Sequence, residues 1–174
     1  MDASHYSADE TLRDGTRLHI RAAGPEDRDK LREALSRMSD RSIRQRFFTP
    51  RPRFSPEQIE FFTHPDFERQ VALVAVDVKD EDHIVGGARY VADDHGAEVA
   101  FAVVDDRQGR GIGTLLLRHL AEISRAKGVM TWSAEVLEEN QAMLHVFERS
   151  GLVTTWSESD GESLHLEMRL DPPE

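Results

Sequence analysis

The sequence of 174 residues contains no cysteine. Disulfide bonds, cysteine nucleophiles and cysteine-ligated metals are therefore excluded, and so is any relay of an acyl group through a thiol of the chain. Long hydrophobic runs are also missing, since no stretch approaches the roughly 20 apolar residues of a membrane-spanning helix. The first residues, MDASHYSADETLRDG, have neither the basic nor the apolar segment of a secretory signal. We therefore expect a cytoplasmic protein that does not act in a membrane.

Positive charge is scarce, because 22 Lys and Arg are set against 33 Asp and Glu, for a net charge of -11. Nucleic-acid phosphates favour basic surfaces, so we expect no nucleic-acid partner. The charge could attract cationic partners such as lysine-rich proteins or amines, or it could only keep the chain soluble. The eight histidines show no HExxH or close-pair spacing, and we expect no metal.

The chain is long enough for one domain with its own hydrophobic core. We expect residues 1–14 to form a flexible N-terminal tail and residues 15–174 to form the domain. Alternating or β-branched runs predict strands at 16–21, 71–78, 84–91, 97–104, 130–136, 152–156 and 164–170. Helical periodicity predicts helices before the second of these strands, after the fourth and after the fifth. The predicted fold class is α/β, with a mixed, mostly antiparallel sheet flanked by helices.

Short signals mark the ends of several elements. Ser55-Pro56-Glu57-Gln58 has the serine, proline and glutamine of a capping box, so a helix is predicted to begin there. Asp80-Glu81-Asp82 and Asp160-Gly161 are predicted turns between strands. Asn140 is a predicted helix cap.

The segment QGRGIG, residues 108–113, joins the third strand of a meander to an amphipathic helix. The first turn of a helix has unsatisfied N–H groups and the positive end of the helix dipole, which together bind anions. Glycine lets the backbone approach a ligand closely and adopt positive φ. The segment thus predicts a site for a phosphate-bearing ligand, although a tight connection without any ligand would also use glycines.

Two common phosphate-binding patterns fit this segment poorly. It lacks the spacing and the lysine of the Walker pattern GxxxxGK[ST]. The dinucleotide fingerprint GxGxxG needs a third glycine where this chain has Thr114, although Glu135 could imitate its acidic residue. That fold also places the motif after the first strand of a parallel sheet, whereas here it follows an antiparallel meander.

The same segment resembles the Q/R-x-x-G-x-G/A turn of the GNAT superfamily of N-acetyltransferases, and the order of elements over residues 16–170 agrees with that family. The resemblance implies acetyl-CoA as the acyl donor. It also implies contacts of the coenzyme pyrophosphate with the backbone of Gln108, Gly109, Arg110, Gly111, Ile112, Gly113 and Thr114. Arg110 could add a charge-assisted contact or only be solvated. By the same resemblance, Val103 and Val104 would pair with the pantetheine amides, and Asn140 would contact the coenzyme, cap its helix, or both.

A closer resemblance is to bacterial protein lysine acetyltransferases of the Pat type. It is carried by the segments LSRMS at 35–39, RFF at 46–48, VALVAV at 71–76 and AEVAFAV at 97–103. It implies acetylation of protein lysines, with Glu98 as the general base that deprotonates the amine. Glu98 lies in an otherwise apolar strand, and the alternative is a glutamate that only faces water. Direct transfer is expected, since the chain has no cysteine to carry the acetyl group.

One position departs from the family pattern. Many GNAT enzymes have a tyrosine in the helix after the asparagine, which protonates the departing thiolate. Here Phe147 is nearest that position and cannot donate a proton. Either the thiolate leaves unassisted, or His145 or water serves.

Three functions are compatible with the sequence. They are acetylation of protein lysines, acetylation of a small amine such as a polyamine, amino acid or aminoglycoside, and non-catalytic binding of acyl-CoA by a regulator. A basic stretch, Arg44, Arg46, Arg51 and Arg53, could dock an acidic partner or the adenosine 3′-phosphate, or could simply be solvated. The final hairpin could pair across a homodimer.

Overall fold

The computed structural model describes residues 1–48, 54–158 and 161–171. Eight strands and five α-helices lie in these ranges. The strands are β1 (Ser7–Thr11), β2 (Arg17–Ala22), β3 (Gln70–Asp77), β4 (Asp80–Ala92), β5 (Ala97–Val103), β6 (Thr131–Leu137), β7 (Val153–Glu158) and β8 (Ser163–Arg169). The α-helices are α1 (Arg28–Arg37), α2 (Asp40–Phe47), α3 (Pro56–Thr63), α4 (Ile112–Ala126) and α5 (Gln141–Glu148). None of these helices combines the length and apolar character needed to span a membrane.

All eight strands form one sheet in the order β1-β2-β3-β4-β5-β6-β8-β7. Neighbouring strands are antiparallel except for β5 and β6, which are parallel. That parallel ladder holds only two residue pairs, Ala97 with Trp132 and Glu98 with Ser133. Beyond Glu98 the two strands separate, so the sheet opens between their carboxyl halves.

The two faces of the sheet carry different helices. α4 covers one face, where its buried stripe Leu116, Leu120 and Ile123 joins the core. Gly86 of β4 faces this helix, because an added Cβ would come within 3.1 Å of the Ile112 side chain.

The opposite face carries α3. Arg89 of β4 lies three residues from Gly86 and so points away from α4. Its guanidinium is 4.5 Å from the Phe61 ring centroid of α3. Glu98 pairs with Val91, which shares the face of Arg89. Glu98 therefore lies on the α3 side of the sheet.

Most predicted elements are confirmed. The three-strand meander is β3–β4–β5, and the final hairpin is β7–β8. Ser55 and Gln58 form the predicted capping box at the start of α3. The mixed, mostly antiparallel α/β sheet is also confirmed. Of the predicted turn at 160–161, Asp160 lies outside the described residues.

Two predictions of local structure are wrong. Residues 1–14 are not a loose tail, because β1 pairs with β2 over five residue pairs and Leu12 is buried. The polar composition of SADET hides this strand, which lies at the edge of the sheet. The turn predicted at 80–82 belongs to β4, since Asp77 pairs with Asp80 across Val78 and Lys79. The Asp77 carboxylate accepts the Lys79 amide at 3.0 Å and so stabilises this tighter turn.

Candidate active site

The turn between β5 and α4 presents free backbone amides at the amino end of a long helix. Gly109 and Gly111 have positive φ of 75° and 92°, and an added Cβ would meet no atom within 4 Å at either residue. Backbone conformation, not lack of space, therefore favours glycine there. Gly111 is the N-cap of α4, and no described side chain caps that helix. The first helical hydrogen bond runs from the Leu115 amide to the Gly111 carbonyl at 3.1 Å, which leaves the preceding amides available to an anion.

A cleft of about 310 Å³ opens at this turn. Its walls are the carboxyl end of β5, the start of α5 and one face of α2, which meet where β5 and β6 have separated. The predicted binding residues that line it are Val103, Gln108, Gly109, Gly111, Ile112, Gly113, Thr114 and Asn140. A groove of this size beside an uncapped helix end suits an extended ligand with a phosphate group.

Two other predicted binding residues lie away from the cleft. Val104 is only 3% exposed, its amide donates to the carbonyl of Val85 at 3.0 Å, and its carbonyl accepts the amide of Arg107 at 3.0 Å. Arg110 does not line the cleft, and its guanidinium lies 3.8 Å from the carboxylate of Asp14. The pairing of Val104 with the pantetheine amides and the charge-assisted contact of Arg110 with the coenzyme therefore stay predictions.

Asn140 both caps α5 and lines the cleft, the two roles that the sequence left open. Its side-chain oxygen accepts the Met143 amide at 3.2 Å, which caps α5. The same residue lines the cleft. The cap fixes the orientation of the side-chain amide at the cleft wall.

Glu98 lies beside a second, smaller pocket of about 60 Å³ between the separating strands. Its residue pair with Ser133 is the last pair of the β5–β6 ladder. The Glu98 side chain is exposed, so the apolar strand around it does not bury the carboxylate. This pocket shares Gln45, Arg46, Phe101, Asn140 and Met143 with the cleft, so the carboxylate adjoins the site predicted for the coenzyme.

Phe147, at the position where many relatives have a tyrosine, is buried. It is 2% exposed, and its ring packs edge-on against Phe101 with centroids 5.8 Å apart. It is therefore a core residue. His145 is exposed and lines the cleft, so it is the titratable side chain of α5 that lies nearest the predicted coenzyme site.

The two described arginines of the basic stretch, Arg44 and Arg46, lie in different surroundings. Arg44 forms ion pairs with Glu139 and with Glu162, the latter at 3.2 Å. Arg46 is partly buried and lines the cleft as well as the Glu98 pocket. Arg51 and Arg53 lie outside the described residues.

Sequence reasoning missed three residues beside the site. Arg89 is buried beneath α3, on the face of the sheet that carries Glu98. Its signal was the same as that of Glu98, a charged residue within an apolar strand. Glu135 lines the Glu98 pocket and accepts a hydrogen bond from His165 of β8 at 2.6 Å. That bond raises the pKa of His165, and the pairing of β6 with β8 that creates it leaves no local signal in the sequence.

Comparison with known proteins identifies the family of this chain. Residues 38–152 match the acetyltransferase (GNAT) family. The chain belongs to the GNAT family. The resemblance of the glycine turn is thereby confirmed, and the GNAT chain is an acyltransferase of a family that uses acetyl-CoA.

Two individual acetyltransferases are similar in sequence to this GNAT chain. It is 31% identical over 137 residues to acetyltransferase PA5475 of Pseudomonas aeruginosa, covering 77% of this chain and 74% of that protein. It is 38% identical over 92 residues to acetyltransferase Pat of Mycolicibacterium smegmatis, covering 51% of this chain and 27% of that protein. The matched segment thus spans only about a quarter of the length of that Pat protein.

A solved structure agrees over nearly the whole fold. The GNAT domain of S. lividans PAT superimposes with a TM-score of 0.85 at 35% identity, covering 94% of this chain and 96% of that domain. The resemblance to the Pat type is therefore confirmed at the level of sequence and fold.

Proposed function

We propose that this GNAT chain acetylates lysine side chains of proteins by direct transfer from acetyl-CoA, with Glu98 as the general base. The observation that carries the proposal is the position of Glu98. Its exposed carboxylate lies where β5 and β6 separate, beside the cleft at the glycine turn. A lysine that approaches from solvent can reach this carboxylate without entering the core.

The cleft residues fit the coenzyme. The amides of Ile112, Gly113 and Thr114 precede the first hydrogen-bonded amide of α4 and would hold the pyrophosphate. Val103, at the end of β5, lines the cleft and would lie along the pantetheine arm. Acetyl-CoA supplies a thioester, whose carbonyl carbon accepts the amine while the carbon–sulfur bond breaks.

Glu98 would supply the step that the amine needs. A lysine amine has an ordinary pKa of about 10.4 and is mostly protonated at neutral pH, whereas only the neutral amine attacks a thioester. A positioned base contributes about 10² to 10⁴ to such a rate. Glu98 would take the ammonium proton, directly or through water. The leaving thiolate would take a proton from water or from His145, because Phe147 has none to give.

The acceptor class follows from exposure and charge. A net charge of -11 favours the approach of lysine-rich surfaces. The second candidate acceptor is a small amine, and an apolar cavity next to the Glu98 pocket favours it. That cavity is lined by Leu31, Leu35, Phe47 and Phe62, and could hold the body of a small molecule.

Free-thiol release from acetyl-CoA tests the proposal. The acceptors are a lysine-rich protein extract and a panel of small amines. We expect turnover on protein, and a loss of about 10² to 10⁴ in kcat for Glu98→Gln at neutral pH. The loss should shrink toward pH 10, where the amine loses its proton unaided. Coenzyme affinity, measured by calorimetry, should stay the same in this variant.

Glu135→Gln is the companion variant, because Glu135 is a second carboxylate at the same pocket. A comparable loss in Glu135→Gln with normal turnover in Glu98→Gln would move the base to Glu135. Turnover on small amines alone would overturn the protein acceptor while leaving the reaction in place.

A further inference from the structure

An apolar cavity with two arginines lies on the α3 side of the sheet. Its volume is about 110 Å³, and its walls come from α1, α2, α3 and the central strands. Apolar side chains form most of its wall, but Arg46 and Arg89 also line it. Arg46 lines the coenzyme cleft and the Glu98 pocket as well, so the three spaces meet at this residue.

Arg89 is a buried cation that has no anionic partner in the part of the chain that the structure describes. The residue is 8% exposed, and its Nε and Nη2 atoms have no hydrogen-bond partner among the described residues. The rings of Phe61 and Phe62 lie 4.5 and 5.3 Å from the guanidinium carbon. These rings attract the cation but offer no oxygen acceptor to its N–H groups. Burial alone lowers the pKa of Arg89.

Another arginine of the same chain shows how a structural guanidinium is held. Arg21 donates to both carboxylate oxygens of the buried Asp27, at 2.7 and 2.9 Å. Such a bidentate pair compensates for the loss of water around both charges. Arg89 has no counterpart of Asp27 among the described residues. A buried charge kept without compensation is typical of a site that binds a charged ligand.

Arg46 adds a second positive charge and connects the cavity to the reaction. Its guanidinium lies 4.6 Å from the Phe47 ring centroid. Burial and the charge of Arg89 lower the pKa of Arg46, and the charge of Glu98 acts against them. Arg46 therefore lies within electrostatic reach of both Arg89 and Glu98.

The strand register relates the cavity to the base. Arg89 pairs with Ala100, and Glu98 lies two residues before Ala100 on the same face of β5. Two residues of strand span roughly 7 Å. An acceptor with its amine at Glu98 can therefore place a second group, a few bonds away, against Arg89.

We propose that Arg89, together with Arg46, binds a carboxylate that the acceptor carries close to the amine to be acetylated. This inference rests on the proposed function for the placement of the amine. Two sources have this chemistry: an acidic residue next to the target lysine in a protein, or the carboxylate of a free amino acid. The net charge of -11 favours cationic acceptors in general. Within that preference, the two arginines would select an acceptor that also carries a carboxylate.

Matched acceptors test the preference. A lysine peptide with a neighbouring Glu is compared with the same peptide carrying Gln, and L-lysine is compared with its amide. We expect kcat/KM to favour the carboxylate member of one pair by about tenfold or more, as suits charge-assisted hydrogen bonds. The pair that shows the preference identifies the source of the carboxylate.

Variants of Arg89 assign the preference to the cavity. Arg89→Met should reduce the ratio within the favoured pair to about twofold or less, mainly through KM, and Arg89→Lys should keep part of it. Arg32→Met is the matched control, because Arg32 is an exposed arginine of α1, and it should leave the ratio as in the wild type. Equal ratios in wild type and Arg89→Met would overturn the proposal.

Two readouts do not depend on turnover. Calorimetry in the presence of coenzyme A compares Nε-acetyl-lysine with its amide, and the acetylated Glu peptide with the Gln peptide. Selective binding of a carboxylate member that is lost in Arg89→Met would sustain the anion site even if no amine were acetylated. Acetylation without any carboxylate preference would sustain the proposed function and overturn this inference.

Thermal melting separates binding from a structural role. Met fills similar space without a buried charge, so Arg89→Met should melt at or above the temperature of the wild type. A clear fall in melting temperature, with unchanged selectivity, would show that Arg89 only supports α3.

Discussion

The side-chain amide of Gln108 donates hydrogen bonds to the Ser42 hydroxyl at 3.1 Å and to the Val103 carbonyl at 3.0 Å. One residue of the glycine turn thereby ties α2 to the end of β5. The first glutamine of the motif is thus engaged within the protein. It fixes the turn against the strand and the helix that form the other walls of the cleft.

Replacing Gln108 should loosen the cleft on two sides. Gln108→Glu keeps the shape but cannot donate either hydrogen bond, and it adds a negative charge near the predicted pyrophosphate site. We expect the KM for acetyl-CoA to rise about tenfold or more, with a smaller change in kcat. Ser42→Ala removes only one partner and should cost less. Initial-rate kinetics with varied acetyl-CoA measures both, and an unchanged KM in Gln108→Glu would contradict the role of the link.

Two glycines of the turn should respond differently to alanine. Gly111 has φ of 92°, where a Cβ costs about 1 to 2 kcal/mol, so Gly111→Ala should lower stability and weaken coenzyme binding. Gly113 lies within α4, and an added Cβ would meet Val146 at an ordinary 3.7 Å. Gly113→Ala should therefore keep or raise stability by a few tenths of a kcal/mol. Thermal melts and calorimetric titration with coenzyme A distinguish them, and equal effects of the two substitutions would contradict the role of φ at Gly111.

The features predictable from sequence are those set by near neighbours along the chain. The glycine turn, the capping box of Ser55 and the cap of Asn140 each depend on a few consecutive residues. Arg89 and the pair of Glu135 with His165 depend on which strands and helices come together, and no local pattern carries that information. β1 escaped prediction for the same reason. Its stability comes from pairing with β2 and from the Tyr6 hydroxyl, 2.5 Å from the ring nitrogen of His119 in α4.

The buried hydroxyl of Tyr90 should be removable without loss of stability. Tyr90 is fully buried, and its hydroxyl has no hydrogen-bond partner among the described residues. Burial, with a smaller effect of Asp66, raises the pKa of Tyr90 to about 12. Since a buried unpaired hydroxyl is destabilising, Tyr90→Phe should raise the free energy of unfolding by about 1 kcal/mol. Urea denaturation measures the change. A decrease of similar size would mean that the hydroxyl is paired in solution.

The pair formed by Glu135 and His165 should make stability depend on pH. The hydrogen bond that His165 donates to Glu135 raises the pKa of His165 above its ordinary value of about 6.5, and Glu167 adds to the effect. His165 thus binds its proton more tightly in the folded state than in the unfolded chain. The stabilisation is fully present below the unfolded pKa and disappears as pH rises through the folded one.

Nuclear magnetic resonance can follow this titration directly. In the wild type the His165 midpoint should lie above 6.5, and in Glu135→Gln it should fall toward that value. The stability difference between the two proteins should be larger near pH 6 than near pH 9. Among the described residues, Glu135 accepts a hydrogen bond from His165, whereas no residue forms an ion pair or hydrogen bond with the Glu98 carboxylate, which favours Glu98 as the base. A wild-type midpoint below 6.5 would mean that the pair does not form and that Glu135 is equally free to act as a base.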